Sequence, residues 1–260
     1  MIGRVWALAL NTFREAVRDR ILYLLLVVGL AAVAFSKFLG EVSVGDALHV
    51  VADTGLTAVS LLGVMISVFV GTGLIYKEID KRTVYTILSK PVGRGEFILG
   101  KYLGLLLTAA VCMALLAAGF LAYFPLLGGK VTAPLVAALG FSLVEVAVVI
   151  SLAVMFSSAS TPILSAVLTT VVFAAGRLSS WIPWFMDYLG RTGSDRTGAT
   201  SFILQVLYYV TPNLSVFDLR DEAVNTGQMP EALAWRAVYA AAYVAAMLLA
   251  ATLIFRRRRL

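Results

Sequence analysis

Residues 95–101 are the first candidate for chemistry, because they match the pattern G-x-x-x-x-G-K of nucleotide-binding loops. Such a loop ends in Ser or Thr, which binds Mg²⁺, and its backbone must be flexible enough to wrap a phosphate. Here Tyr102 follows the pattern, and the intervening residues are mostly bulky and apolar. We therefore interpret the segment as the start of a membrane helix in which Gly100 and Gly104 form a close-packing face. Any ATP that this protein uses is expected to bind to another chain.

The side chains that metal and hydrolytic chemistry require are scarce in this sequence. The chain has one His, His49, one Cys, Cys112, and seven Met, with no Met-x-x-Met cluster. Neither H-E-x-x-H nor G-x-S-x-G occurs, so a zinc protease and a serine hydrolase lack their motifs. The sequence therefore predicts no catalytic residue, no metal site and no cofactor, although metal as a transported substrate stays open.

Glu145 is the remaining candidate, because it lies within the apolar run 143–147. An ionised carboxylate at the centre of a membrane costs about 3 kcal/mol or more unless it is paired, protonated or faces water. Two interpretations stay open. Glu145 could belong to a transport pathway, or it could be the buried partner of Arg177 or of a neighbouring helix.

The composition identifies a membrane as the setting of these residues. Of 260 residues, 60% are hydrophobic and 14% are charged, whereas soluble domains carry about 25% charged residues. The pattern predicts an all-α polytopic membrane protein, since the apolar stretches are long and lack the two-residue alternation of barrel strands. We expect a single transmembrane domain over residues 1–260 with about six transmembrane helices, at roughly 21–39, 52–75, 102–127, 134–156, 162–185 and 233–255.

The distribution of Lys and Arg predicts the orientation. Fourteen of the 21 basic residues lie in segments 1–20, 77–101 and 256–259. Because cytoplasmic loops retain basic residues, we expect these segments and both termini in the cytoplasm of a multi-pass protein of the inner (plasma) membrane. The net charge of +6 then reflects topology, and no nucleic-acid partner is needed to explain it.

Two segments are expected at the membrane surface. Residues 3–19 mix apolar and basic side chains, which predicts an interfacial amphipathic helix, with a plain basic leader as the alternative. In the external segment 186–232, the apolar run 202–210 is too short to span the membrane. It is interpreted as an amphipathic or re-entrant helix on the outer face, or as part of a hairpin.

The basic loop between the second and third spans has a helical pattern of its own. No Gly or Pro occurs from 77 to 89, and Glu78 can pair with Lys81 or Arg82 at helical spacing. Pro91 ends this pattern, because proline disfavours helix in the residue before it. Arg94 is then expected near the membrane surface. The sequence predicts a short cytoplasmic helix.

This loop resembles the cytoplasmic loop between the second and third spans of ABC-2 type exporter permeases. In that family a Glu is followed by Gly-Thr or Arg-Thr, Leu-Leu-Ser, Pro, a small turn, Arg and Gly-Lys. The corresponding positions are Glu78, Arg82-Thr83, Ile87-Leu88-Ser89, Pro91, Arg94 and Gly100-Lys101. Gly93 stands where the family has Ser.

The resemblance implies a permease subunit that docks on a separate ABC ATPase. Glu78, Arg82, Thr83, Ile87, Leu88, Pro91 and Arg94 would then form the coupling helix that transmits ATP-driven closure to the spans. It also implies export, while the substrate class stays open among drugs, lipids, polysaccharides and copper-site maturation. Since no internal repeat is visible, a two-fold pathway would need a second copy of the chain. The alternatives are a secondary transporter or a channel, in which the loop is merely a solvated basic segment.

Overall fold

The computed structural model describes residues 2–43, 45–80, 93–192, 199–227 and 232–257. Within these ranges every regular element is helical, as the composition predicted. The α-helices are α1 (Ile2–Val17), α2 (Arg20–Val42), α3 (Ala47–Asp80), α4 (Arg94–Leu126), α5 (Ala133–Ala159), α6 (Pro162–Leu178), α7 (Ile182–Thr192), α8 (Ala199–Val210) and α9 (Leu233–Arg257). Short 3₁₀ turns at Ser179–Trp181 and Leu214–Phe217 and a π turn at Glu222–Thr226 complete the described chain.

Within the described residues, six stretches are long and apolar enough to cross a membrane, which confirms the predicted number of about six spans. They are Arg20–Val42, Ala47–Gly73, Arg94–Leu126, Ala133–Ala159, Pro162–Leu189 and Leu233–Arg256. Two helices are longer than predicted, since α3 begins before residue 52 and α4 before residue 102. The first turn of α4 contains Arg94 and Glu96, so a search for apolar runs misses it. The first turn of α3, which precedes the predicted span, contains His49.

Helices α3 and α5 form the centre of the bundle. In their most apolar windows 72% and 61% of the residues are buried, against 22% to 39% in the other four spans. Helix α3 packs against α2, α4, α5 and α6, while α5 packs against α3, α4, α6 and α9. The large apolar side chains that stay exposed on the surrounding helices, such as Val27, Phe35 and Leu253, suit contact with lipid tails.

Helix α1 packs across α4 through two glycines. A Cβ atom at Gly100 would lie 2.6 Å from Cβ of Leu8, and one at Gly104 would lie 2.6 Å from the carbonyl oxygen of Ala9. This contact confirms the close-packing face expected from the glycine spacing. Next to it, the buried Nζ atom of Lys101 lies 3.9 Å from Oε2 of Glu15. Close packing at the two glycines and the ion pair therefore both hold α1 against the first turns of α4.

The start of α4 also contacts the end of α9. The guanidinium of Arg94 donates hydrogen bonds to the carbonyl oxygens of Phe255, at 3.4 Å, and Arg256, at 2.7 Å. Phe97 stacks on Phe255 with ring centroids 5.6 Å apart. We call the end of the bundle at Arg94, Phe97 and Arg256 the basic end. The described parts of the three segments that are predicted to be cytoplasmic therefore lie close together at the basic end.

The chain between α6 and α9 does not stay on the surface. Helices α7 and α8 pack against each other, which fits the hairpin alternative for the segment that was predicted to be external. Helix α8 contains the apolar run 202–210. The following residues return into the bundle, where Leu214, Phe217 and Leu219 are at most 1% exposed. We call residues 212–222 the inserted segment.

Candidate functional site

The predicted coupling residues are only partly within the described chain. Glu78 lies in the last turn of α3, which runs without a break from the second span to Asp80. The expected separate helix therefore does not begin at residue 77. Arg94 is the first residue of α4. The coupling residues Arg82, Thr83, Ile87, Leu88 and Pro91 lie outside the described residues.

The continuity of α3 and α4 matters for the loop that connects them. Helices α3 and α4 pack against each other; the described part of α3 extends to Asp80, and α4 begins at Arg94. A helix is a stiff rod because each residue is held by hydrogen bonds to the turns before and after it. A force on this segment would therefore act on two adjacent spans, one of which belongs to the centre of the bundle.

A second candidate site consists of charged side chains inside the bundle. Glu145 of α5, Arg177 of α6, and Asp218 and Arg220 of the inserted segment form one chain of ion pairs. Ser60 and Thr57 of α3 contact the two ends of this chain. We call these six residues the buried charge network.

Glu145 lies at the inner end of the network and is 1% exposed. Its Oε1 atom accepts a hydrogen bond from Nη1 of Arg177 at 2.8 Å. Its Oε2 atom accepts one from Oγ of Ser60 at 3.0 Å. Each carboxylate oxygen therefore has a partner, and Arg177 is the partner that the sequence suggested for this residue.

Arg177 bridges two carboxylates. Its Nη2 atom lies 3.1 Å from Oδ2 of Asp218, while its Nη1 atom contacts Glu145. A planar guanidinium presents several N–H donors in a fixed fork, which suits it to join two acceptors in this way. Arg177 thus ties α5 and α6 to the inserted segment.

Asp218 and Arg220 form a two-pronged pair within the inserted segment. Nε of Arg220 donates to Oδ1 of Asp218 at 2.7 Å, and Nη2 donates to Oδ2 at 2.6 Å. The Nη1 atom donates to Oγ1 of Thr57 on α3. Burial raises the pKa of Asp218, but the hydrogen bonds from Arg220 and the charge of Arg177 outweigh it, and the net pKa is lowered. Asp218 therefore stays ionised near neutral pH.

A second polar contact holds the inserted segment beside the network. Oδ1 of Asn213 accepts a hydrogen bond from Oγ of Ser179 at 2.8 Å, and the backbone N–H of Asn213 donates to the hydroxyl of Tyr239 at 3.0 Å. The backbones also approach closely, since a Cβ atom at Gly176 would collide with the carbonyl oxygen of Pro212. The inserted segment is thereby attached to α3, α5, α6 and α9.

The network is electrically balanced, with two carboxylates and two guanidinium groups. Removing one member of a buried ion pair costs about 3 to 5 kcal/mol, because it leaves an uncompensated charge. Asp53 of α3 is exposed, and its charge raises the pKa of Arg220 after the larger effect of the Asp218 hydrogen bond. The arrangement can therefore act as a strong link between the spans and the inserted segment.

Sequence reasoning found Glu145 and Arg177 but missed their other partners. Asp218 lies in the segment that the sequence predicts to be external, and nothing in the sequence marks Ser60 as a partner of Glu145. Ser60 is 85 positions from its partner Glu145, so no local spacing could reveal the contact. A usable signal was the presence of Leu214, Phe217 and Leu219 among polar residues, which is typical of a segment with one buried side.

Two cavities lie at the end of the bundle opposite the basic end. One of about 350 Å³ is lined by His49, Phe124 and Lys130, and one of about 280 Å³ by His49, Asp53 and Arg220. Nε2 of His49 is 2.9 Å from Oδ1 of Asn225. Among the described residues, no group of three or more His, Cys, Asp and Glu side chains could hold a metal ion.

Two comparisons with known proteins bear on this chain. A search of curated proteins finds no match for the chain. The family model described as "ABC-2 family transporter protein" matches residues 6–260, which is nearly the whole chain. Together with the six apolar helices, this match shows that the chain belongs to the ABC-2 family of transporter membrane proteins, which are the membrane components and not the ATPases of their transporters.

Proposed function

We propose that this chain is the permease of an ATP-driven exporter and that a separate ABC ATPase drives it through residues 77–96. Family membership supports an ABC ATPase partner in general. The resemblance of Glu78, Arg82 and Thr83 to the family loop supports this segment as the contact. The observation that carries the proposal is that the two described ends of this segment, residues 77–80 and 94–96, belong to α3 and α4.

Each coupling residue would have a role that follows from its chemistry. Glu78 and Arg82 would pair with opposite charges on the ATPase, while Thr83, Ile87 and Leu88 would fill its groove. Pro91 would end the docking helix. Arg94 would pass the movement on, because its guanidinium is hydrogen-bonded to the last turn of α9. Helix α1 would follow α4 through the Gly100 and Gly104 contact.

The orientation follows from the same argument. The basic segments at the N terminus, at 77–101 and at the C terminus would lie in the cytoplasm, since positively charged loops are retained there. Both termini would then be cytoplasmic, in the inner (plasma) membrane. The meeting of α1, the start of α4 and the end of α9 at the basic end supports a common side. Residues 1–260 would form one transmembrane domain.

A second copy of the chain would complete the transporter. The centre of one copy is filled by the side chains of α3 and α5, so a pathway would form between two copies. A homodimer with two ATPase subunits is the simplest such complex. The contacts of Glu145 favour its interpretation as a buried partner of Arg177 over a pathway residue, because both its oxygens are occupied and it is 1% exposed.

The experiment combines Glu78→Ala with Arg82→Ala in tagged protein purified from host membranes. We expect normal insertion, but loss of the co-purified ATPase or of its ATP hydrolysis, since losing one partner of a buried interfacial charge pair costs about 2 to 5 kcal/mol. The matched control is Lys37→Ala with Glu41→Ala, which removes an exposed pair four residues apart on α2. Normal ATPase capture and turnover by the first variant would contradict the coupling role.

A secondary transporter is the second candidate, because the network contains the intramembrane carboxylate Glu145. Such a protein would move its substrate without ATP. An ATPase gene with a phosphate loop beside the coding sequence of this chain favours the permease. Transport that persists in vesicles without any ATPase subunit would favour the secondary transporter.

A further inference from the structure

An open groove runs along one side of the bundle between α4, α5 and α9, and it has a volume of about 810 Å³. Its walls are formed by Leu99 and Tyr102 of α4, Val144 and Ala147 of α5, and one face of α9 from Ala237 to Thr252. Four of the eight residues on that face of α9 are alanines, and these small side chains leave the space open. None of the contacts described for the buried charge network enters this groove.

The groove offers almost only apolar surface. Its polar side chains are occupied within the protein: the Tyr102 hydroxyl donates to the carbonyl oxygen of Ala147 at 3.4 Å, and the Thr252 hydroxyl donates to that of Leu248 at 2.8 Å. A polar or charged occupant would find no partner along these walls and would lose its hydration. The occupant must therefore be apolar over the length of the groove.

One end of the groove lies at the basic end of the bundle. Gly95 and Thr252 line this end. Gly95 directly follows Arg94, and Thr252 lies one helical turn before Arg256. Arg256 is exposed, and Arg94 uses one nitrogen, Nη1, for the two carbonyl oxygens of α9. No carboxylate pairs with either arginine in the part of the chain that the structure describes. Unpaired guanidinium groups are suited to a phosphate.

The dimensions suit a lipid tail. The α9 face from Ala237 to Thr252 is about 22 Å long at 1.5 Å per residue, and one leaflet of the hydrocarbon core is about 15 Å thick, half of the whole. A single acyl chain therefore fits lengthwise. The preference for a lipid over a second protein chain rests on the two arginines at the basic end, which suit a phosphate.

We propose that this groove is a binding site for an anionic phospholipid, whose acyl chain lies along α9 and whose phosphate binds Arg94 and Arg256. The positive charges of the two arginines favour an anionic headgroup, and the small alanine side chains of α9 leave room for the tail. The site goes beyond the proposed transport function, since it requires neither ATP nor a transported substrate. Its position in the inner leaflet rests on the proposed orientation, but the binding itself does not.

The test uses phosphatidylglycerol with a photoreactive acyl chain, in vesicles of phosphatidylglycerol and phosphatidylcholine. After illumination, the labelled peptides are identified by mass spectrometry. We expect the label to concentrate on residues 95–102 and 237–252. Ala241→Trp fills the groove and should remove most of this label. Val238→Trp adds the same bulk to α9 at a position that is 59% exposed and outside the groove, and it should not.

The headgroup is tested with Arg256→Gln. The preference for labelling by phosphatidylglycerol over an equally reactive phosphatidylcholine should fall by about fivefold, the factor for one basic residue near an anionic surface. Arg191→Gln removes an exposed arginine on α7 and should leave the preference unchanged. Label spread evenly over the lipid-facing helices, or unaffected by Ala241→Trp, would overturn the proposal. Crosslinking of two copies through a cysteine introduced at Ala241 would also overturn it, because a second chain would then occupy the groove.

Discussion

Replacing Arg177 with Met is expected to lower the free energy of unfolding by about 3 to 5 kcal/mol, the cost of breaking a buried ion pair on one side. Methionine retains the apolar stem of the arginine but not its charge. The variant leaves Glu145, which is 1% exposed, with the hydroxyl of Ser60 as its hydrogen-bond partner. Asp218 keeps its three hydrogen bonds from Arg220, two from the guanidinium and one from the backbone N–H, so most of the cost should arise at Glu145.

Glu145→Gln should cost less, about 1 to 3 kcal/mol, the range for a buried group that loses a partner. Arg177 remains paired with Asp218 in this variant, and the amide oxygen of glutamine can still accept a hydrogen bond. The double variant contains no unpaired buried carboxylate at position 145. Its cost should therefore be smaller than the sum of the two single costs, by about 0.5 to 3 kcal/mol.

Unfolding of the purified protein in mild detergent can be followed by tryptophan fluorescence during titration with a denaturant. The matched control is the exposed pair of Asp187 and Arg191 on α7. Oδ2 of Asp187 lies 2.9 Å from Nη2 of Arg191, and the two side chains are 58% and 78% exposed. Removing either partner there should change stability by less than about 1 kcal/mol. Strict additivity in the double variant, or an equal cost for the exposed pair, would refute the reasoning.

The same variants separate the two interpretations of Glu145. If the residue is a structural partner, Glu145→Gln lowers stability while ATP-driven transport per folded molecule stays unchanged. If it belongs to the pathway, transport or its pH dependence changes even at temperatures where the variant is fully folded.

Three further outcomes are expected. In a background without the native cysteine, cysteines at Ser89 and Gly227 should be labelled from opposite sides of the membrane, and labelling from one side would overturn the six-span orientation. Gly104→Ala should lower stability by about 1 to 3 kcal/mol through overpacking against α1, whereas Gly140→Ala, with open space around its Cβ position, should not. Because the folded-state pKa of Asp218 is lowered, its stabilisation is present above the ordinary value near 3.9 and is lost as the pH falls through the folded value. Unfolding titrations between about pH 6 and pH 2 should show this loss in the native protein but not in Asp218→Asn.

The helical architecture was readable from the sequence because a membrane forces each spanning segment to satisfy its backbone hydrogen bonds internally. The apolar run at 134–156, for example, is close in its bounds to α5, Ala133–Ala159. The glycine face at Gly100 and Gly104 was equally accessible, since residues four apart lie on one side of a helix. These predictions depend on local spacing alone.

The partners of Glu145 within the inserted segment were not accessible in this way. Asp218 and Arg220 lie in a stretch whose hydropathy and charge indicate an external loop, and their burial depends on the space left between α3, α5 and α6. The burial of Lys101 was missed for the same reason, because its partner Glu15 lies on α1. Sequence patterns report what a segment favours alone, whereas these contacts arise from tertiary packing.

The pairing of Glu145 with Arg177 has a consequence for how the protein enters the membrane. Helices α5 and α6 are consecutive and are joined by residues 160–161, and the two charged residues lie at nearly equal distances on either side of this connection. An arginine at the centre of an isolated spanning helix costs about 2.5 to 3.5 kcal/mol during insertion by the translocon. If α5 and α6 leave the translocon as a helical hairpin, each charge already faces its counterion before any later span is made. The order of synthesis would then protect both charges from lipid, and the inserted segment would add Asp218 only after the hairpin is in place.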